Sequence, residues 1–274
     1  MSFANRVKFP VWYEVWCGMF RLYGKAMRLI RLVLLTVWIG CGLLALAFCF
    51  PWFAAVARGE VTRTWSRGLL KILGVRCRVE GAWQRSGGLV VANHVSWLDP
   101  FVLLSIHPMH FVAKAEIRQW PVFGWLAAHA GTVFVDRERP RDVGRVAKAF
   151  GGRVEDGELV ALFPEATTSD GSYVRSFKTA LFQVAVTQAV PCLPVALAYA
   201  QPEAVWIDDM SFMQSVWRMT ALARLEVRVV LCAAILPMQQ DRRDLARQSE
   251  QAIAAALSLP VRRSRPETDG GPPA

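Results

Sequence analysis

Residues 93–100, which read Asn-His-Val-Ser-Trp-Leu-Asp-Pro, are the first in this sequence whose types and spacing could do chemistry. A neutral imidazole such as that of His94 can take a proton from a hydroxyl, and a carboxylate on its other ring nitrogen would fix the tautomer and stabilise the imidazolium. Asp99 follows His94 by five positions, so the pair must bridge a turn rather than share one helix face. Asp99 is suited to cap a helix and Pro100 to begin it. The spacing alone fits equally well a strand-end histidine beside a helix cap.

Three further polar clusters lie at the ends of apolar runs downstream. Asp136 and Arg137 end one run, and residues 163–169, which read Phe-Pro-Glu-Ala-Thr-Thr-Ser, place a carboxylate and three hydroxyls after another. Residues 190–195 open a fourth run with two prolines. In open α/β sheets, sites gather at the carboxyl ends of the strands. The order of these clusters is therefore compatible with one site at one edge of a sheet.

Short apolar, β-branched runs alternate with helical patterns from about residue 75 onward. The predicted strands are Val75–Val79, Leu89–Ala92, His110–Ala113, Thr132–Val135, Leu159–Phe163, Leu193–Tyr199 and Leu225–Ala234. The predicted helices are Pro100–Ile106, Arg141–Val154, Phe177–Gln188 and Arg242–Leu257. This alternation predicts an α/β domain over residues 65–259, with a mostly parallel, buried sheet flanked by helices. The Pro-, Arg- and Gly-rich residues 260–274 predict a disordered tail.

The N-terminal region carries the pattern of a membrane anchor. No charged residue occurs from Leu32 to Ala57, and about 20 apolar residues suffice to span a bilayer. A signal peptide fits poorly, because the basic region and the apolar core are both too long. Basic residues flank the run on both sides, which favours both ends on the cytoplasmic side. This favours a hairpin, bent at Gly40, Gly42 or Pro51, or an in-plane anchor over a single span. We therefore predict a basic interfacial helix over residues 1–31 and an apolar anchor over residues 32–58.

Composition supports a lipid partner more than a nucleic acid. The chain is 54% hydrophobic, contains 11 Trp and has a net charge of +10. Basic surfaces suit anionic lipids and phosphorylated substrates, and Trp favours membrane interfaces. The six Cys form no CxxC pair and no metal-ligand spacing, and no further ligands complete a zinc site with His107 and His110. We expect no metal.

At this point the sequence resembles the glycerolipid acyltransferase family, which includes the lysophosphatidic acid acyltransferases. The family's four blocks occur in the family's order. The NHxxxxD block is residues 93–99, the Asp-Arg block is residues 136–137, the FPEGT block is residues 163–167, and the Pro-containing strand is residues 190–195. The resemblance covers roughly residues 65–235, and four ordered blocks are far more specific than one.

The resemblance implies a direct acyl transfer. In such enzymes the histidine, here His94, deprotonates the acceptor hydroxyl, which attacks an acyl thioester, while the aspartate, here Asp99, orients the histidine. No acyl-enzyme forms, and the sequence contains no GxSxG nucleophile motif. A backbone N–H near the histidine block is our hypothesis for the oxyanion donor.

The resemblance assigns acceptor binding to the second and third blocks. Arg137 suits a phosphate, because a guanidinium can donate two parallel hydrogen bonds. Glu165 is expected to orient Arg137 or to accept from a hydroxyl, with a structural ion pair as the alternative. The three hydroxyls of Thr167, Thr168 and Ser169 either donate to the head group or cap a turn. The predicted substrate-binding set is completed by Asn93, Lys114 and Lys178.

The third block departs from the family at two positions. Ala166 replaces the family's Gly, and a positive φ there would cost Ala ~1 kcal/mol or more. Lysophosphatidic acid acyltransferases often continue this block with Arg-Ser, where this sequence has Thr168 and Ser169 followed by Asp170. The missing cation weakens the case for a phosphate monoester as the acceptor. A third block with Thr and Ser at these positions resembles those of bacterial enzymes for other acceptors, including lyso-ornithine lipid. Lys114 and Lys178 could replace the charge, or they could be solvated surface residues.

The expected reaction moves a fatty acyl group from acyl-CoA or acyl carrier protein to 1-acyl-sn-glycerol-3-phosphate, giving phosphatidic acid. Lyso-ornithine lipid or another lysophospholipid is the alternative acceptor. We expect no metal or redox cofactor, and a location at the cytoplasmic face of a bacterial inner membrane. Two other classes remain open: a hydrolase that uses the same His–Asp pair on water, and a non-catalytic lipid-binding module.

Overall fold

The computed structural model describes residues 11–82, 87–120, 122–135, 151–153, 157–207, 210–238 and 240–263, with only the backbone of residues 11–23. Within these ranges the chain forms a seven-stranded sheet of order β1-β8-β7-β2-β5-β3-β4 and a separate two-stranded pair, β6-β9. The strands are β1 Val75–Glu80, β2 Gly88–Ala92, β3 His110–Lys114, β4 Val133–Val135, β5 Leu159–Leu162, β6 Val174–Arg175, β7 Cys192–Tyr199, β8 Leu225–Leu231 and β9 Val261–Arg262. All neighbouring strands are parallel except β7 and β8.

The helices are α1 Val11–Leu44, α2 Ala55–Ile72, α3 Asp99–Ile106, α4 Phe123–His129, α5 Gln183–Thr187, α6 Phe212–Thr220 and α7 Arg242–Leu257. A π-helical segment, Ala45–Cys49, and a 3₁₀ turn, Phe50–Trp52, continue α1. Every residue of the central strands β2 and β5 is buried, because separate apolar clusters cover the two faces of the sheet. Burial on both faces explains why these strands are continuous apolar runs without alternation. The predicted α/β fold is confirmed.

The anchor is one long helix that returns as a second helix. Gly24–Trp52 is 29 residues long, and the mean hydropathy of its most apolar 18-residue window is 2.5. Among the described residues it is the one helical segment long and apolar enough to cross a bilayer. The helix passes through Gly40 and Gly42 without ending, and the chain leaves helical geometry only at Phe53, after Pro51. The chain therefore bends after Pro51, one of the three predicted positions, and not at the two glycines. Pro51 is accommodated in the 3₁₀ turn because proline is tolerated in the first turn of a helical segment.

A reciprocal contact holds α1 against α2. The Trp38 indole donates a hydrogen bond to the Trp65 carbonyl oxygen at 3.0 Å, and the Trp65 indole donates to the Trp38 carbonyl oxygen at 3.1 Å. Gly42 leaves room for the Trp65 ring and Gly68 leaves room for the Trp38 ring. Small residues thus let the two helix backbones approach, as they do in helix pairs within membranes.

Two basic residues tie α1 to the sheet domain. Arg31 donates to the carbonyl oxygens of Leu222 and Ala223, just beyond the C-terminus of α6. The Arg28 guanidinium lies 4.3 Å from the centre of the Trp217 ring on α6. A cation is favourable at a helix C-terminus, where carbonyl groups lack partners inside the helix. The anchor is therefore fixed relative to the domain.

Each of the seven predicted strands exists, with ends shifted by a few residues at most, and the predicted helix Arg242–Leu257 has its predicted ends. The predicted helix Phe177–Gln188 is shorter, as a 3₁₀ turn, Ala180–Phe182, followed by α5. The predicted helix 141–154 lies outside the described residues except for 151–153, which are helical. Residues 261–262 of the predicted tail form β9, which pairs with β6, and the tail from residue 264 lies outside the described residues.

Candidate active site

Asp99 lies beneath His94 at the turn between β2 and α3. The Oδ2 atom of Asp99 is 2.7 Å from Nδ1 of His94 and also accepts from the backbone N–H groups of Val95 at 2.8 Å and Ser96 at 2.9 Å. The Asp99 side chain is 0% exposed. Because these donors all face one oxygen, they hold the carboxyl group in a fixed orientation. Asp99 is itself the first residue of α3, so its predicted role as helix cap is wrong: its side chain folds back to the turn.

The His94 ring is fixed from a second side by aromatic stacking. Its centre lies 4.2 Å from that of Phe163, with the two planes 16° apart, and Phe111 stacks behind Phe163 at 6.0 Å. With Asp99 ionised, Nδ1 carries the proton, which leaves the lone pair of Nε2 free to accept one. His94 also lines a cavity of about 1140 Å³. The arrangement is that of a general base held in a single tautomer and orientation.

Asn93 has a structural position instead of the predicted contact with substrate. Its side-chain amide donates to the Leu197 carbonyl oxygen at 2.9 Å and accepts from the Leu197 N–H at 2.8 Å. The residue is 2% exposed. The amide continues the β2–β7 pairing after the backbone of β2 turns away at Ala92, so both of its polar atoms are already engaged.

The hydroxyls of the third block divide between the cavity and the scaffold. Thr167 is exposed and lines the cavity. Thr168 also lines it, but its hydroxyl donates to the carbonyl oxygen of Trp206. Ser169 is buried, and its backbone N–H donates to the carbonyl oxygen of His94 at 2.8 Å. Ser169 therefore holds the histidine turn in place, and Thr167 is the member of the set that is exposed to the cavity.

The third block forms a tight turn with the strain expected for its substitution. Ala166 has φ +68°, the left-handed region that favours glycine, and its N–H donates to the Phe163 carbonyl oxygen at 3.2 Å. An L-residue in this region costs about 1–2 kcal/mol. Ala166 thus occupies a backbone conformation that a glycine would adopt without this cost.

Glu165 is buried beneath the site. It is 4% exposed, and neither of its carboxyl oxygens has a hydrogen-bond partner among the described residues. Burial, reinforced by the nearby charge of Asp99, raises the pKa of Glu165 to about 8, while the backbone and charge of Arg175 lower it. The carboxyl is therefore largely protonated near neutral pH and can donate a hydrogen bond. Its predicted partner Arg137 lies outside the described residues, as does Asp136.

The cavity lined by His94 has a volume of about 1140 Å³ and lies between the anchor and the sheet. Its apolar part lies between α1, α2 and α3, with walls from Leu46, Phe50, Val61, Trp65, Phe101 and Leu104. Among the described residues, its polar lining includes the cations Lys114 and Arg175 and the carboxylates of Glu116 and Asp170. The predicted ligand Lys178 is exposed and is not among the residues that line this cavity.

Arg175 was missed by the sequence reasoning. It lies on β6, and its Nε is buried with no hydrogen-bond partner among the described residues. Its charge acts on both Glu165 and Asp170. A two-residue strand outside the four blocks gave no signal, since only its pairing with β9 places Arg175 at the cavity.

The hypothesis that a backbone N–H of the histidine block holds the oxyanion is wrong for its two nearest members. The N–H groups of Val95 and Ser96 both donate to Asp99. They stabilise the base's partner and are not free for a substrate oxygen.

Residues 75–198 match the family described as Acyltransferase. A lyso-ornithine lipid O-acyltransferase of Rhizobium meliloti is 34% identical over 273 residues, which cover 92% of this chain and 90% of that protein. The chain belongs to the acyltransferase family. A 1-acyl-sn-glycerol-3-phosphate acyltransferase of Neisseria meningitidis is 37% identical over 182 residues, 63% of this chain and 70% of that protein.

The fold of this acyltransferase is also that of a solved structure. The 1-acyl-sn-glycerophosphate acyltransferase PlsC of Thermotoga maritima matches with a TM-score of 0.65 at 22% identity, over 87% of this chain and 96% of that one. The predicted family and the predicted class of enzyme, an acyltransferase of the lysolipid type, are confirmed. The relatives divide between two acceptors, so their names do not choose between them.

Proposed function

We propose that this acyltransferase moves a fatty acyl group from a thioester to the hydroxyl of a membrane lysolipid, with His94 as the general base. The observation that carries the proposal is the His94–Asp99 contact of 2.7 Å on the wall of a cavity that is apolar on one side and charged on the other. An acyl chain fits the apolar side and a lipid head group the charged side. A cavity of about 1140 Å³ exceeds the ~300–1,000 Å³ of most small-molecule sites, as two lipid-sized substrates require.

The proposed acyl transfer needs no covalent enzyme intermediate. Nε2 of His94 takes the proton of the acceptor hydroxyl while the hydroxyl oxygen bonds to the thioester carbonyl carbon. The tetrahedral intermediate then expels the thiolate, which takes the proton from His94 and leaves as the free thiol of coenzyme A or acyl carrier protein. Asp99 stabilises the imidazolium that exists between these two transfers.

We propose that the anchor places the cavity at the bilayer. The exposed apolar side chains of α1 include Leu29, Val33 and Val37, each more than half exposed among the described residues. The same helix contributes Leu46 to the cavity wall. A lysolipid can therefore pass from one leaflet to His94 without crossing water, while the thioester arrives from the aqueous side. The basic flanks of the apolar run support a cytoplasmic location for both ends.

Two observations favour a zwitterionic acceptor, lyso-ornithine lipid, over 1-acyl-sn-glycerol-3-phosphate. The hydroxyl of Thr168, which stands where an arginine would favour a phosphate monoester, is engaged by Trp206. The polar part of the cavity also mixes signs, since Lys114 and Arg175 line it together with Glu116 and Asp170. An ornithine head carries one carboxylate and one ammonium, which matches this mixture, whereas a phosphate monoester carries close to two negative charges. Lysophosphatidic acid is the second candidate.

An acceptor panel tests the proposal. Full-length protein in vesicles would be given labelled acyl-CoA or acyl carrier protein with lyso-ornithine lipid, with 1-acyl-sn-glycerol-3-phosphate, or with no acceptor. We expect label in ornithine lipid, and label in phosphatidic acid alone would reverse the order of acceptors. Release of free fatty acid at the same rate with and without lysolipid would instead show a hydrolase.

A further inference from the structure

Tyr199 contacts the catalytic pair from the end of the strand that the fourth sequence block opens, four residues beyond that block. It is the last residue of β7, and its hydroxyl donates to Oδ1 of Asp99 at 2.6 Å. The other carboxyl oxygen, Oδ2, already accepts from the ring of His94 and from two backbone N–H groups. Among the described residues, Tyr199 is therefore the hydrogen-bond donor to Oδ1, the carboxyl oxygen that does not contact the histidine.

The fold brings this hydroxyl to Asp99 by extending β7 beyond the end of β2. The two strands pair as far as Ala92 and Val195, after which the Asn93 side chain holds Leu197. Two residues later, Tyr199 lies opposite Val227 of β8 and reaches across to the start of α3. The residue that precedes the base thus fixes the segment that carries the tyrosine, so the position of the hydroxyl is set from both strands.

The hydroxyl remains a donor over the working pH range. Burial, together with the adjacent Asp99 carboxylate, raises the pKa of Tyr199 well above its ordinary value. A hydrogen bond to a buried carboxylate withdraws part of its charge and restricts its rotation. Both effects reach His94 through Asp99, because Tyr199 itself makes no described contact with the imidazole.

We propose that Tyr199 is a positioning residue for the acyl transfer: its hydroxyl holds Asp99 in the orientation that aligns His94 and limits the negative charge that Asp99 presents to the imidazole. The inference rests on the proposed role of His94 as base. It extends the pair to a Tyr199–Asp99–His94 series in which only His94 touches the substrate.

The direct test is Tyr199→Phe, with kcat, both KM values and the pH dependence of kcat/KM measured in vesicles. Without the hydroxyl, Asp99 presents more charge to the imidazole, so the imidazolium gains stability and the acid limb of the profile moves to higher pH. We expect kcat to fall about tenfold, a fraction of the ~100- to 10,000-fold that a general base contributes. The KM values for thioester and lysolipid should stay within about twofold, because Tyr199 is not among the residues that line the cavity.

A matched control removes a buried hydroxyl elsewhere. Thr220 at the end of α6 is buried and donates to the Trp217 carbonyl oxygen, so Thr220→Val makes a similar loss without touching Asp99. Its kcat and acid limb should match those of the wild type. Where Tyr199→Phe fails to fold, 3-fluorotyrosine at position 199 keeps the shape and makes a stronger donor, and the acid limb should then move to lower pH.

The outcomes separate this inference from the proposed function. An inactive His94→Ala together with a Tyr199→Phe whose kcat and acid limb equal those of the wild type would overturn the role of Tyr199 and leave His94 as base. A fully active His94→Ala would overturn the proposed function itself. An acid limb that stays fixed with 3-fluorotyrosine would also refute the transmission of charge through Asp99.

Discussion

The packing of the anchor predicts opposite effects for two glycines that lie two positions apart on α1. A methyl group at Gly42 would lie 2.8 Å from Cε2 of Trp65 and overlap the indole, whereas a methyl group at Gly40 would have nothing within 4 Å. Gly42→Ala must therefore displace Trp65, which donates to Trp38 and lines the cavity. Gly40→Ala changes only helix propensity.

The magnitudes follow from these contacts. Overpacking costs about 1–3 kcal/mol, and the indole hydrogen bond contributes about 0.5–1.5 kcal/mol more. Against this, alanine exceeds glycine in helix propensity by about 0.8–1.0 kcal/mol. We expect Gly42→Ala to lose about 1–3 kcal/mol of stability and Gly40→Ala to gain up to about 1 kcal/mol.

Thermal unfolding of the purified full-length protein in detergent, with transfer activity measured in vesicles, checks this prediction. Gly42→Ala should lower Tm and activity together, because Trp65 belongs to both the helix contact and the cavity. Equal Tm values for the two variants would refute the tight packing of α1 on α2.

Three further predictions concern the site. Ala166→Gly relieves the strain of a φ of +68° but gives the unfolded chain more conformational freedom. The net effect should be a gain in stability of up to about 1 kcal/mol, measured by thermal unfolding. A lower Tm for the variant would contradict the strain at this position. Burial raises the pKa of Glu165 from 4.5 to about 8, so the unfolded chain loses this proton first and stability falls as pH rises from about 4.5 to 8. Glu165→Gln should remove this fall of a few kcal/mol in the free energy of unfolding. Stability curves against pH that run parallel for the variant and the wild type would contradict this prediction. Arg175→Gln should raise the KM for the lysolipid about tenfold or more, because a hydrogen bond to a charged group contributes ~1.5–3 kcal/mol. The control Arg247→Gln, which loses an exposed charge paired with Asp244 on α7, should leave that KM unchanged.

Local patterns were sufficient to predict the strands and the place of His94 at the end of β2. The buried strands β2 and β5 are apolar runs bounded by polar residues, and His94 follows β2 in a block whose order with the others is specific. The positive φ at Ala166 also followed from the block, since a glycine at a fixed place indicates a backbone need.

The remaining features depend on contacts between distant segments. Tyr199 lies 100 positions from Asp99, and Arg175 reaches the cavity only because β6 pairs with β9 near the C-terminus. Asn93 was assigned to substrate for its place beside His94, but its amide serves the neighbouring strand β7. Side-chain direction at a strand end is set by tertiary pairing, which residue spacing does not encode.

The most direct test of the account is single-turnover acyl transfer by His94→Gln in vesicles, with folding checked by Tm. Glutamine preserves much of the polar side chain but cannot take the proton. We predict a loss of about 100- to 10,000-fold in the rate of transfer, the usual contribution of a general base, at an unchanged Tm. A folded His94→Gln that transfers acyl groups at the wild-type rate would contradict the central role of His94.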